Sequence, residues 1–188
     1  MKTKANTSEE HLKIIAEMIE QAQGNFSQQS FYYLLWGTVA ILCNLGHFIL
    51  LKLNYPYPYL VWLLTIPAWT IVFIYISRHR NQKTVVTTFD KINMWLWLSL
   101  GMSIFILIMF GSYINFKINP IILFLAATPT FVSGVILKFK PLLVGGVVFW
   151  LSAIASYLMD YPSQFLISAF AIAVGFLIPG ILIKRMFV

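Results

Sequence analysis

From Phe31 onward the chain is a succession of six uncharged, apolar stretches, at about 31–51, 58–77, 92–114, 118–137, 141–159 and 163–183. Each is about twenty residues long, the length a helix needs to cross roughly 30 Å of hydrocarbon. The pattern predicts an all-α membrane protein, with six transmembrane helices arranged as three hairpins over residues 31–185. Proline marks every outer turn: Pro56 and Pro58, then Pro120, then Pro162. The first two hairpins share a spacing, since Pro58, Pro67 and Arg78 are matched by Pro120, Pro129 and Lys140 at a constant offset of 62. Pro67, Pro129 and Pro179 each remove a backbone hydrogen bond within a span and are candidate kinks.

Before the first span the pattern changes. Residues 1–30 form an N-terminal segment in which Thr7 and Glu10 have capping-box spacing, opening a helix over 7–23 that Gly24 and Asn25 end. Leu12, Ile15, Ile19 and Ala22 make one apolar stripe, while Glu9, Lys13, Glu17, Glu20 and Gln21 take the other side. This helix is too short to span and is expected on the cytoplasmic surface. Two readings stand for it: a topogenic leader without a partner, or a docking face for a cytoplasmic protein. The first span starts too far into the chain, and without a small-residue cleavage site, to be a removable signal.

Charge then orients the spans. Eleven of the thirteen basic residues fall on one side, and only Lys52 and Lys117 on the other. Cytoplasmic loops hold the Lys/Arg excess, so both termini are expected in the cytoplasm of a bacterial inner membrane. Tyr55, Tyr57, Tyr59, Trp62, Trp95 and Trp97 stand near span ends, where aromatic rings settle at headgroup level. With 60% hydrophobic and 10% charged residues and a mean hydropathy of +0.81, the chain leaves no room for a separate soluble catalytic domain. The net charge of +7 belongs to membrane ends and not to a nucleic-acid surface, and the short basic loop at 78–91 is implausible as a sequence-specific reader. Small residues at Ser133-Gly134, Gly145-Gly146, Ser152, Ser156, Ala169, Ala171, Ala173 and Gly175 predict tight packing of spans four to six. The same faces could serve a homo-oligomer, although packing within one chain is the preferred reading.

Few residues are left to carry chemistry. No Asp, Glu, Lys or Arg lies at depth, which disfavours ion-coupled transport. Asn44 and His47 share a face of span one, with Cys43, the only cysteine, one turn from His47. They are the candidate polar lining of a path, with water reaching His47 from the outer end; the competing reading has His47 donate one hydrogen bond to a neighbouring helix. No metal cluster, cofactor fingerprint or catalytic motif accompanies them, and Ser133 beside Gly134 lacks the surroundings of a serine nucleophile. No enzyme activity and no cofactor are expected.

The segments FYYLLWG at 31–37, PYLVWLL at 58–64, FVSGVILKFKPLLVGG at 131–146 and IPGILIKR at 178–185 carry a resemblance. Across its length the chain resembles a family of small six-span bacterial inner-membrane proteins of unassigned activity, the KFKP stretch being the most specific part. The resemblance implies no catalytic residues. It implies a regulatory, partner-dependent role, since members of such a family are often encoded beside a small winged-helix regulator. A small channel or facilitator for an uncharged solute is the alternative.

Overall fold

The structure is a computed structural model that describes residues 29–79, 88–114 and 117–187. The amphipathic segment 7–23, with Leu12, Ile15, Ile19 and Ala22, lies outside the described residues. Those described are helical and contain no strand. Hydrocarbon offers no partner to a backbone N–H or C=O, so apolar runs of this length satisfy their polar groups internally as helices. The chain order is α1 (Gln29–Lys52), a 3-10 helix (Pro58–Leu64) continued by α2 (Thr65–His79), and α3 (Thr88–Met109) with a 3-10 turn at Gly111–Ile114. There follow α4 (Ile118–Ile136), α5 (Lys140–Leu158), α6 (Tyr161–Ile172), a π-helical turn (Ala173–Leu177) and α7 (Ile178–Phe187). The last three run on as one span, giving six helices long and apolar enough to cross a membrane.

Two helix ends share one device. After α1 the amide of Tyr55 donates to the Leu50 carbonyl, with Asn54 at φ 52°; after α4 the amide of Phe139 donates to the Gly134 carbonyl, with Lys138 at φ 51°. A left-handed residue followed by this long return bond closes the helix. At the second site Pro141 opens α5 at once, so the KFKP segment is a tight turn between α4 and α5.

That turn sets the centre of the fold. Among α2 to α7, α4 and α5 make the most extensive contact, across the boundary between the second and third sequence hairpins. Glycines explain the closeness. A Cβ at Gly134 would stand 2.7 Å from the Leu143 backbone nitrogen, and one at Gly146 would stand 2.6 Å from the Phe131 Cβ. A Cβ at Gly145 would stand 2.8 Å from the Gly175 Cα, and Gly175 is covered by the Phe149 ring. Leu123, Ala127, Leu142, Phe149, Ala153, Ala171, Ile172 and Phe176 form the core there, joined by Tyr33 and Ile183. Of the windows through spans four, five and six, 44%, 39% and 44% are buried, against 22% and 11% in spans one and two and none in span three. The tight packing expected of spans four to six is present, and spans two and three are peripheral.

α1 closes one side of this core. Gly37 lies against Phe176 and Leu177, and Gly180 lies against Tyr33 and Leu34, so each helix offers the other a glycine. Ser30 Oγ donates to the Gly180 carbonyl at 2.8 Å, placing the start of α1 beside α7. Phe31 stacks on Tyr75 at 3.9 Å, placing it beside the end of α2 as well. The helix ends that carry Arg78, Lys91, Lys138, Lys140, Lys184 and Arg185 thus form a basic end of the bundle. At the opposite end Lys117 Nζ sits 4.3 Å above the Tyr157 ring and Lys52 Nζ 5.7 Å from the Phe48 ring, where an aromatic face stabilises a cation.

The three span prolines have three different backbones. Pro67 is the third residue of α2, directly after the 3-10 stretch. Pro129 is buried within an unbroken α4. Pro179 follows the π turn, whose wider winding accommodates the N–H that proline cannot offer to the Gly175 carbonyl. The matched positions Pro67 and Pro129 therefore differ in place along the α-helix, first turn against interior, and in exposure.

Candidate functional site

Polar side chains are buried at two levels. Towards the end opposite the basic one, α1 presses on the 3-10 helix of span two: a Cβ at Gly46 would meet Val61 Cγ1 at 2.9 Å, and Cys43 Sγ reaches the Val61 carbonyl at 3.4 Å. This contact fixes His47. Trp62 Nε1 donates to His47 Nδ1 at 3.1 Å, the imidazole stacks on Phe165 at 3.9 Å, and Tyr161 meets it edge-on at 6.4 Å. Indole N–H is a donor only, so Nδ1 accepts and the neutral ring carries its proton on Nε2.

His47 is 4% exposed and Asn44 2%. Both side chains are thus buried, where access from the outer end was expected for His47, with Trp62 on the Nδ1 edge of the ring and Phe165 on one of its faces. The imidazole also accepts a hydrogen bond where a donated one was expected. Asn44 Nδ2 donates to the Ala40 carbonyl at 2.8 Å within its own helix. Asn44 Oδ1 and His47 Nε2 are buried with no hydrogen-bond partner among the described residues, as are Gln164 Oε1 and Ser156 Oγ. Pro67 is exposed in span two, whereas Asn44 and His47 are buried.

Towards the basic end an asparagine oxygen joins two donors, while Tyr33 Oη and Gln29 Oε1 are buried with no hydrogen-bond partner among the described residues. Asn93 Oδ1 accepts from Ser133 Oγ at 2.8 Å and from Trp97 Nε1 at 3.1 Å. The Trp97 ring then packs against Tyr33 at 5.9 Å and Phe176 at 5.6 Å. One amide oxygen thereby ties α3 to α4, and one indole ties α3 to α1 and the sixth span. Ser133 is engaged structurally, its hydroxyl donating to Asn93. Trp62 and Trp97 are inter-helix residues and not headgroup anchors, whereas Tyr55, Tyr57, Tyr59 and Trp95 are exposed as expected of anchors. Asn93 escaped the sequence reading because an asparagine two residues from Lys91 looks like a span boundary. Its spacing of four from Trp97 was the available signal.

Chemically these layers hold helices together. Among the described residues no three His, Cys, Asp or Glu side chains form a group that could hold a metal. Two surface grooves are present. One, of about 490 Å³, is lined at the basic end by Ser30, Phe31, Leu34, Thr38, Tyr75 and Lys184. The other, of about 310 Å³, is an apolar furrow between α4 and α5 lined by Pro120, Phe124 and Tyr157 among others. Neither is lined by Asn44 or His47. The class defined so far is an all-α protein whose six long apolar helices are those of a multi-pass membrane protein. No protein-family model, curated protein or solved structure matches the chain.

Proposed function

We propose that this is a non-enzymatic protein of the bacterial inner membrane that acts through association, passing a change in the membrane to a cytoplasmic protein partner. In this reading both termini are cytoplasmic, the spans pair as three hairpins, and the amphipathic helix 7–23 offers Leu12, Ile15, Ile19 and Ala22 to the partner. The observation that supports it is the covering of Asn44 and His47. A facilitator needs polar groups that solute can reach, and here Trp62 and Phe165 cover the imidazole at 3.1 and 3.9 Å. Spans two and three, by contrast, expose Trp69, Phe73, Met102, Phe105 and Ile106 to lipid or to another helix. The eleven-to-two basic asymmetry supports the orientation.

Two measurements test the proposal. Cytoplasm-active reporters fused after Arg80 or Lys140 should be active, and those near Tyr57 or Asp160 inactive; the reverse pattern overturns the orientation. A partner crosslinked to wild-type protein in native membranes should be lost from the Leu12→Ser, Ile19→Ser double variant while the protein stays abundant. A partner unaffected by the double variant, or solute flux through reconstituted vesicles by a protein with no partner, overturns the association reading.

A further inference from the structure

The groove at the basic end has the apolar lining and the charge of a lipid site. Along α1 it is lined by Ser30 and Phe31, then Leu34 and Leu35, then Thr38 and Val39, three successive turns on one face. Tyr75 of α2 and Lys184 of α7 flank that face from either side. α2 and α7 both touch α1 here, through the Phe31–Tyr75 stack and the Ser30–Gly180 bond, yet leave a strip of it uncovered. The eight steps from Ser30 to Thr38 rise about 12 Å, so the groove runs along the helix axis and into the hydrocarbon.

Depth and charge decide its occupant. Lipid tails are the solvent at this depth, and leaving the groove empty would forfeit dispersion contacts along Leu34, Leu35 and Val39. Charge then selects the headgroup. Lys184 lines the mouth, Arg185 follows it, and Arg78 lies one turn beyond Tyr75 on the opposite flank. Basic pockets between transmembrane helices bind anionic headgroups.

We propose that this groove holds one acyl chain of an anionic phospholipid, its phosphate resting against Lys184. The inference is independent of the association reading and of which way the protein faces in the cell.

The test is native mass spectrometry of the full chain in detergent, titrated with phosphatidylglycerol or phosphatidylcholine. The expected result is a first phosphatidylglycerol bound more tightly than phosphatidylcholine, with its affinity reduced about five-fold in Lys184→Gln, the factor one lysine contributes near a charged headgroup layer. Lys140→Gln, at the same end but outside the groove, should bind as wild type does. Thr38→Trp, which fills the groove from an exposed position, should weaken the first binding event for both lipids. Equal affinity for the two lipids, no effect of Lys184→Gln, or no effect of Thr38→Trp overturns the proposal. So does a disulfide between Ile19→Cys and Thr38→Cys, which would seat the N-terminal segment there, or a dimer that Thr38→Trp disrupts.

Discussion

Replacing Gly146 with alanine tests the central contact of the bundle with a single methyl group. That methyl would stand 2.6 Å from Phe131 Cβ and 2.9 Å from both Phe131 Cα and N, where ordinary contact begins at 3.4 Å. Two of the three obstructing atoms are backbone, so no rotamer change relieves the clash. α4 must retreat by about 0.8 Å at Phe131. Retreat also loosens Gly134 from Leu143 and the Phe131–Trp150 ring pair, now 5.4 Å apart. Overpacking of this kind costs about 1–3 kcal/mol, against which alanine in a helix interior returns up to about 1 kcal/mol over glycine. Gly101 supplies the reference, since a Cβ there meets nothing within 4 Å. Gly101→Ala should therefore be neutral to slightly stabilising, and Gly146→Ala should be about 1–3 kcal/mol less stable than that reference. Reversible unfolding in mixed micelles measures both. Equal stability of the two variants would refute the close approach of α4 and α5 at this point.

Asn93→Ala should lower stability in the same assay by about 1–2 kcal/mol, because it strips acceptors from Ser133 and Trp97 together. A double-mutant cycle with Ser133→Ala should give a coupling of about 0.6–1.7 kcal/mol, and zero coupling would mean the bond is not made. Lys138→Gly should stabilise by about 0.5–1 kcal/mol, since relief of a left-handed side chain at φ 51° exceeds the entropic cost of glycine; Lys138→Val should do the opposite. Asp160 caps α6, and the Ser163 hydroxyl first, then the Ser163 amide and Lys52, holds its carboxyl below the ordinary aspartate value. A lowered folded-state pKa stabilises above the unfolded value and is lost as pH falls through the folded one. The advantage of wild type over Asp160→Asn in thermal midpoint, present at neutral pH, should accordingly shrink as pH drops below 3.8, and a constant difference would remove the cap from the account.

The number, length and approximate limits of the six helices are legible in the sequence, because insertion into hydrocarbon depends on hydropathy summed over a local window. The first span extends only from the expected 31–51 to Gln29–Lys52, and the fourth changes by one residue, from 118–137 to Ile118–Ile136. The crossing of spans four to six is legible too, since only glycine, alanine and serine let backbones approach, and those residues are concentrated there. What the sequence does not disclose is which apolar face meets protein and which meets lipid. Span three is as apolar as span five, yet the window through it has no buried residue while 39% of span five is buried. A soluble protein marks that difference with polar residues on its wet face. In a bilayer both surroundings are hydrocarbon, so composition does not distinguish them.

The same reason hid the inward turn of Trp62 and Trp97 and the role of Asn93. An indole at a span end satisfies its N–H equally well at the headgroup layer or on a polar side chain within the bundle. Asn93 and Ser133 meet across forty residues of chain, a proximity set by how α3 lies on α4. Sequence alone thus determined what enters the membrane, through local and additive free energies of transfer. Tertiary structure decided what touches what inside it, because packing in lipid is governed by the fit of one helix surface against another.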